Sequence, residues 1–340
     1  MTVSKNDIYE EGKRLRICLL DEYMDKYLYR SWRVLLYSPR NGAWKYGFKS
    51  WKQILEFMGV ETTIVYDTDE IPLGYDILIA PADVDYMWVE CNEAIVNIPH
   101  KIGMVSKRND FLTTSECTAI DWVNIQLIRS LKYEFLITSF SPDFINFVLK
   151  EWVSIGLDII SIPFGFNPLL YYPMDNEEIY DFFFVGTNSH FKIDQTDRYL
   201  RPIIGNERLF GILRGTYWDG VRELDPPDSR IFYSRAKINL NYHLEAQKLF
   251  DSEINERTFV ISACGGFQLV DHPHALFRFY STEDMAVAKD DKDYAEKFEY
   301  YLDKPEERHR MALRALIKSY ENKYSLFHRI EVILNKINVS

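Results

Sequence analysis

The sequence predicts an α/β protein of two domains, each a doubly wound parallel β-sheet with helices on both faces. Three observations carry the prediction. Short apolar runs alternate with amphipathic helical patterns along the whole chain. The alternation is interrupted once, by a stretch rich in proline, glycine and acidic residues. The length of 340 residues suits two domains of ordinary size.

The elements follow in order. Arg16 to Asp21 (RICLLD) reads as a first buried strand. The loop from Tyr37 to Phe48 carries Gly42, Gly47, Trp44 and Tyr46. Trp51, Ile54, Leu55 and Met58 have helical spacing and stop at Gly59. Val60 to Tyr66, Tyr75 to Ala80 and Lys101 to Ser106 read as strands, with a helix from Glu90 to Ile98 between the last two. A helix over 119–131, a strand over 134–140, a helix from Pro142 and a strand over 158–163 complete the first half.

Residues 162–173, IPFGFNPLLYYP, hold three prolines and a glycine, and Asp175, Glu177 and Glu178 follow. This stretch places the domain boundary: 1–165 first, 166–321 second, with a terminal helix within 322–340 that packs back on the first. Strands then read at 179–185, 209–213, 236–240 and 266–270, and helices at 196–204, 255–264, 292–302 and 305–320. Ligands of open α/β sheets bind beyond the carboxyl ends of the strands, so two such domains are expected to face a central cleft.

Composition narrows the class. Apolar residues are 47% and aromatic residues 15%, which excludes intrinsic disorder. Cys18, Cys91, Cys117 and Cys264 form no CxxC pair, which argues against a disulfide framework and a cysteine zinc site. No apolar run approaches the ~18 residues of a membrane span, and Met1 to Arg16 is too polar for a signal peptide, so a cytoplasmic location is expected. The net charge of −11 disfavours nucleic acid as a partner without excluding a local basic patch.

The most informative stretch is 253–271, EINERTFVISACGGFQLVD. Asn255 suits the N-cap of a helix ending at Cys264, and Gly265 suits the position after its C-cap. The N-terminus of such a helix offers free N–H groups and partial positive charge to a phosphate. Arg257, in the first turn, adds a guanidinium. His272-x-His274 invites a metal reading but has no third ligand in sight, so no metal is expected.

Asn255, Arg257, Phe259, Ala263, Cys264, Gly265 and Gly266 match a segment of the form N-x-R-x-F-E-x-x-A-C-G-G. FFFVGT (182–187), AKINLNYH (236–243), the linker, and a tail with Tyr301, Pro305, Glu306, Glu307, Arg308 and His328-Arg329 agree in order. Together they resemble the C-terminal half of group 1 glycosyltransferases close to family 4, in the branch typified by spore-maturation proteins. The resemblance covers residues 158–334.

That resemblance implies a GT-B fold, two Rossmann-like domains. It implies transfer of a sugar from a nucleotide-diphospho-sugar to an acceptor, with retention of configuration and without a metal or tightly bound cofactor. The first domain would take the acceptor (a glycan, lipid, protein, small molecule or modified nucleobase) and the second the donor. Expected donor-binding residues are Gly186, Thr187, Lys192, Arg214, Asn255, Glu256, Arg257, Gly265 and Gly266. Expected catalytic residues are Asp110, near the acceptor, and His243, after a donor-domain strand. One departure stands out: Val260 and Ser252 occupy the positions where family 4 relatives carry two glutamates, with Glu253 and Glu256 nearby. This motivates an alternative reading, a non-catalytic binding or assembly protein that kept the fold.

Overall fold

A computed structural model describes residues 2–24, 31–38, 44–66, 71–82, 93–105, 129, 131–188, 192–218, 221, 224 and 228–339. The chain divides into two compact units, one of residues 21–163 and 327–340, the other of residues 1–20 and 164–326. Both are parallel sheets with helical connections.

The first unit has a six-stranded sheet in the order β2-β1-β3-β4-β5-β6. Its strands are β1 (Arg33–Tyr37), β2 (Glu61–Val65), β3 (Ile77–Pro81), β4 (His100–Val105), β5 (Phe135–Thr138) and β6 (Ile159–Ser161). Continuous burial along β3 and β5 is what a parallel sheet covered on both faces requires. The terminal helix Leu326–Val339 contributes Phe327, whose ring stacks on Tyr23 at 4.6 Å and meets Phe57 edge-on at 5.3 Å. Further along, Lys336 pairs with Asp158 at 2.7 Å.

Two expectations are corrected here. Arg16 to Asp21 is not a strand but part of the helix Lys5–Met24. Ile8, Leu15, Leu19 and Tyr23 are buried while Ile17 is 48% exposed, the periodicity of one helix face rather than of a buried strand. The first strand is instead RVLLY at Arg33–Tyr37, so Tyr37 is a buried strand residue rather than part of a loop. Residues 1–20 accordingly pack with the second unit, not the first.

The second unit has a five-stranded sheet in the order β11-β10-β9-β7-β8. Its strands are β7 (Tyr180–Val185), β8 (Gly211–Arg214), β9 (Ala236–Asn241), β10 (Gln268–Asp271) and β11 (Ala286–Ala288). Within it, Arg16 and Arg230 each lie 4.0 Å from the Tyr172 ring centre and donate to Pro168 O and Leu170 O, fixing the turn that opens the unit. Arg308, almost wholly buried, donates to the last carbonyls of the helix Asp291–Leu302, at Tyr301 and Leu302, and to Glu178 at 2.6 Å. His309 and Lys5 also reach the Glu178 carboxylate.

Candidate functional site

The strand order of the second unit defines where a ligand is expected. The chain runs from β7 outward to β8, then returns to place β9 on the other side of β7. The order therefore reverses between β7 and β9, and the carboxyl ends at such a switch point are where open α/β sheets bind ligands. Val185-Gly186 and Asn241-Tyr242 meet there.

The helix Glu256–Ala263 begins at the same edge. Asn255 is extended at φ −72° and ψ 156°, and its side chain accepts from Thr258 N, the geometry of an N-cap. The cap is itself held by buried amides. Asn255 Nδ2 donates to Asn241 Oδ1 at 2.9 Å and to Tyr242 O at 3.0 Å, while Asn241 Nδ2 donates to Thr258 Oγ1 at 3.0 Å and Gln268 Oε1 at 3.1 Å. Gln268 Nε2 closes the network on Thr258 O and Ser262 Oγ. A satisfied buried network of this kind fixes one geometry. Asn255 thus orients the helix, its side-chain amide already engaged.

Arg257 is the charged feature of the switch point. Its Nη1 donates to Val185 O at 2.8 Å, and its guanidinium lies 4.7 Å from the Phe184 ring centre and 5.7 Å from that of Tyr242. Phe184 and Tyr242 stack with rings 5.4 Å apart and only 4° from parallel, and Tyr199 stacks on Tyr242 at 6.3 Å. Among the described residues no carboxylate pairs with Arg257. A half-buried guanidinium held by a carbonyl and ring faces retains donors for an anion. Burial pushes the Tyr242 hydroxyl above its usual range against the pull of Arg257. Tyr242 therefore stays neutral and bonds Thr196 at 2.9 Å.

Two loops lie side by side beyond β7 and β8. Gly186 N donates to Arg214 O and Asn188 N to Thr216 O, both at 3.0 Å. Thr216 and Thr187 hydroxyls bond at 3.0 Å, and Trp218 Nε1 donates to Gly186 O at 2.8 Å. Gly215, at φ +134°, lets the strands' ends approach this closely, since a Cβ there would lie 2.0 Å from Gly186 O.

A second polar group sits at the ends of β9 and β10. His243 and Asp271 are completely buried. His243 Nδ1 lies 2.7 Å from Asp271 Oδ1, and the His243 backbone N–H donates to both carboxylate oxygens at 3.1 Å. The carboxylate engages Nδ1, and Nε2 is the remaining ring nitrogen. That Nε2 has no partner among the described residues. Lys248 stands 3.5 Å from Asp271 and bonds the Tyr199 hydroxyl at 3.2 Å. Burial lowers the Lys248 pKa, but Asp271 and the neighbouring hydroxyl outweigh it and hold the ammonium above its usual range.

The structure brings Gly186, Thr187, Asn255, Glu256 and Arg257 to one edge and does not bring all the expected residues there. Gly265 and Gly266 lie at the far end of the helix. Gly265, at φ +66°, packs where a Cβ would meet Ile8 at 2.4 Å, and Gly266 where a Cβ would meet Asn239 at 2.6 Å. Their smallness serves backbone packing at the foot of the sheet. Arg214 turns its guanidinium toward the Phe232 ring, 5.5 Å away, and donates to Leu213 O. Lys192 opens the short helix Ile193–Gln195. His243 is a buried partner of Asp271 rather than a solvent-facing base. Asp110 lies outside the described residues, as do the side chains of Trp44 and Tyr46.

Val260 is buried in the apolar helix face, Ser252 is buried, and Glu253 accepts from Gln247 Nε2 at 3.1 Å. Sequence reasoning missed Asp271, Lys248 and Asn241. Asp271 had a signal available, since it ends β10 as Asn241 ends β9, at the sheet edge where ligands bind. His272 and His274 meet edge-on at 5.1 Å, and the described residues include no His, Cys, Asp and Glu group arranged to hold a metal. No helix among them is long and apolar enough to cross a membrane.

Two parallel α/β units of this kind have the layout of a GT-B fold. Solved structures agree across nearly the whole chain. Sucrose-phosphate synthase from Thermosynechococcus elongatus superposes with a TM-score of 0.62 at 11% identity, covering 91% of this chain and 99% of that one. T4 phage BGT in complex with UDP-glucose gives 0.58 at 10% identity (87% and 97%), and Anabaena Alr3699/HepE in complex with UDP and glucose gives 0.58 at 9% identity (91% and 100%). At such identities the likeness shows the fold alone.

Residues 196–335 match the family described as Glycosyl transferase-like. Spore protein CgeB of Bacillus subtilis (strain 168) is 31% identical over 112 residues, which are 30% of this chain and 33% of CgeB. The match thus spans a third of that relative's length.

Proposed function

We propose that the protein is a glycosyltransferase that takes its sugar from a nucleotide-diphospho-sugar, with UDP as the nucleotide. The observation that carries this reading is Arg257, a guanidinium with no carboxylate partner among the described residues, fixed at the switch point beside a helix N-terminus in the stretch that matches the Glycosyl transferase-like family. Transfer develops negative charge on the leaving diphosphate, and a preorganised cation with helix N–H groups is what stabilises it. The UDP-glucose and UDP bound by two of the structural neighbours favour this donor class.

In this reading the diphosphate lies against Arg257 and the first turn of the helix, with the Gly186-Thr187 loop beside it. The buried His243–Asp271 pair closes the ends of the neighbouring strands and braces the site. The unit of residues 21–163 takes the acceptor, and the family resemblance favours retention without a metal. Incubation with a panel of nucleotide-sugars tests it, nucleoside diphosphate release being the readout.

A second reading rests on Val260, a buried apolar residue where the resemblance calls for a glutamate. On it, the chain binds a nucleotide-sugar but does not turn it over. Saturable binding with no release of diphosphate over the whole panel favours the second reading, and turnover with any donor removes it.

A further inference from the structure

We infer that Tyr217 and Asn188 form the subsite for the nucleobase of the bound nucleotide, Tyr217 as the stacking face and Asn188 as the acceptor for a base N–H. The inference deepens the proposed donor site and rests on that reading.

Three observations on the two side-by-side loops carry it. Tyr217 has φ +60°, a left-handed conformation that is unfavourable for a bulky side chain, and its residue is 79% exposed. The ring therefore does not repay its backbone strain by burial in this fold, and such strain persists where a surrounding structure holds it for another purpose. Trp218, the next residue, supplies the hold. Its Nε1 donates to Gly186 O, and its ring meets Phe184 edge-on at 6.2 Å. Arg257 donates to the preceding carbonyl, Val185 O. The anchor of the Tyr217 loop and the guanidinium thus sit on consecutive carbonyls of one strand end, so the loop that carries the exposed ring and the candidate diphosphate anchor share that strand end.

The third observation is the Asn188 side chain. Its backbone N–H pairs with Thr216 O, one residue before Tyr217, yet its Oδ1 is shielded from water and has no hydrogen-bond partner among the described residues. An unpaired buried acceptor is costly unless a ligand completes it. Nucleobases offer both a π-face and ring or exocyclic N–H donors, the two features that an exposed tyrosine and an orphan amide oxygen recognise.

Calorimetry with UDP and with inorganic pyrophosphate, on the full chain, tests the assignment. Stacking on an aromatic residue is typically worth roughly 5- to 150-fold in affinity. Tyr217→Ala is expected to weaken UDP by that factor and to leave pyrophosphate within about twofold, while Tyr217→Phe keeps UDP near the wild-type value. Asn188→Leu is expected to weaken UDP and spare pyrophosphate in the same way. Tyr217→Gly, which suits the left-handed backbone, is expected to melt at or above the wild-type temperature and still lose UDP affinity. Unchanged UDP affinity in Tyr217→Ala overturns the subsite and leaves the donor site standing. Equal losses of UDP and pyrophosphate also overturn it. A wild-type protein that binds neither probe overturns the subsite and the donor site together.

Discussion

Arg257 donates from Nη1 to the carbonyl of Val185 at 2.8 Å, tying the first turn of one helix to the end of the neighbouring strand. This bond decides where the guanidinium at the switch point is held. Two stacked rings, Phe184 and Tyr242, support it from below, and a network of buried amides fixes the helix that carries it. The positioning is therefore done by apolar and neutral groups, and no carboxylate among the described residues pairs with the cation.

Gly265 separates structure from binding. A Cβ there would meet Ile8 at 2.4 Å on a backbone at φ +66°. Gly265→Ala is expected to cost about 1–3 kcal/mol of stability in denaturant unfolding. Nucleotide affinity in the folded fraction is expected to stay at the wild-type value. A large loss of affinity without a loss of stability would return Gly265 to the binding residues.

The His243–Asp271 pair yields a different outcome. Asp271 is wholly buried and is approached by His243 and by Lys248. Asp271→Ala leaves Lys248 without its buried partner and is expected to destabilise the fold by ~3–5 kcal/mol. Asp271→Asn keeps a hydrogen-bond acceptor for the His243 backbone N–H and should cost less. Equal unfolding midpoints for wild type and Asp271→Ala would show that the pair contributes nothing to stability.

Acid stability depends on Glu178. Burial opposes its ionisation, but His309, Lys5 and Arg308 outweigh burial and hold the carboxyl down to about 2. In the unfolded chain it titrates near ~4.3. A depressed folded pKa means stability that is present above pH ~4.3 and lost as pH falls toward 2, by at most a few kcal/mol. Burial lowers the pKa of Lys5, but that ammonium stays charged throughout this window and does not change the sign. Glu178→Gln should flatten the stability curve between pH 2 and 4.5 and, by stripping the buried Arg308 of its counter-charge, lower stability at neutral pH. A variant as pH-dependent as wild type in that window would assign the acid sensitivity elsewhere.

Much of the second unit was legible before any coordinates. The N-cap at Asn255, the arginine two residues later and the glycine after the helix all follow from local chemistry, and each takes the predicted conformation. What a single motif cannot display is distance. Gly265 and Gly266 sit ten and eleven residues after Asn255, and an eight-residue helix carries them to the other end of the sheet. Arg214 ends the right strand, yet the neighbouring Phe232 ring captures its guanidinium. The first strand failed for another reason. RICLL and RVLLY are near twins in composition, and only the heptad-like burial of Ile8, Leu15 and Leu19 marks the former as helix. The orphan Oδ1 of Asn188 and the strained Tyr217 have no sequence signature, because both arise from how two loops pair.

The account stands on Arg257 as the anchor for a nucleoside diphosphate. Titration calorimetry of UDP into the wild-type protein and into Arg257→Ala tests this directly. The prediction is saturable binding to the wild type, at least ~10-fold weaker binding to Arg257→Ala, and an intermediate value for Arg257→Lys, which keeps the charge but loses the planar fork. Equal UDP affinity in wild type and a folded Arg257→Ala would contradict it.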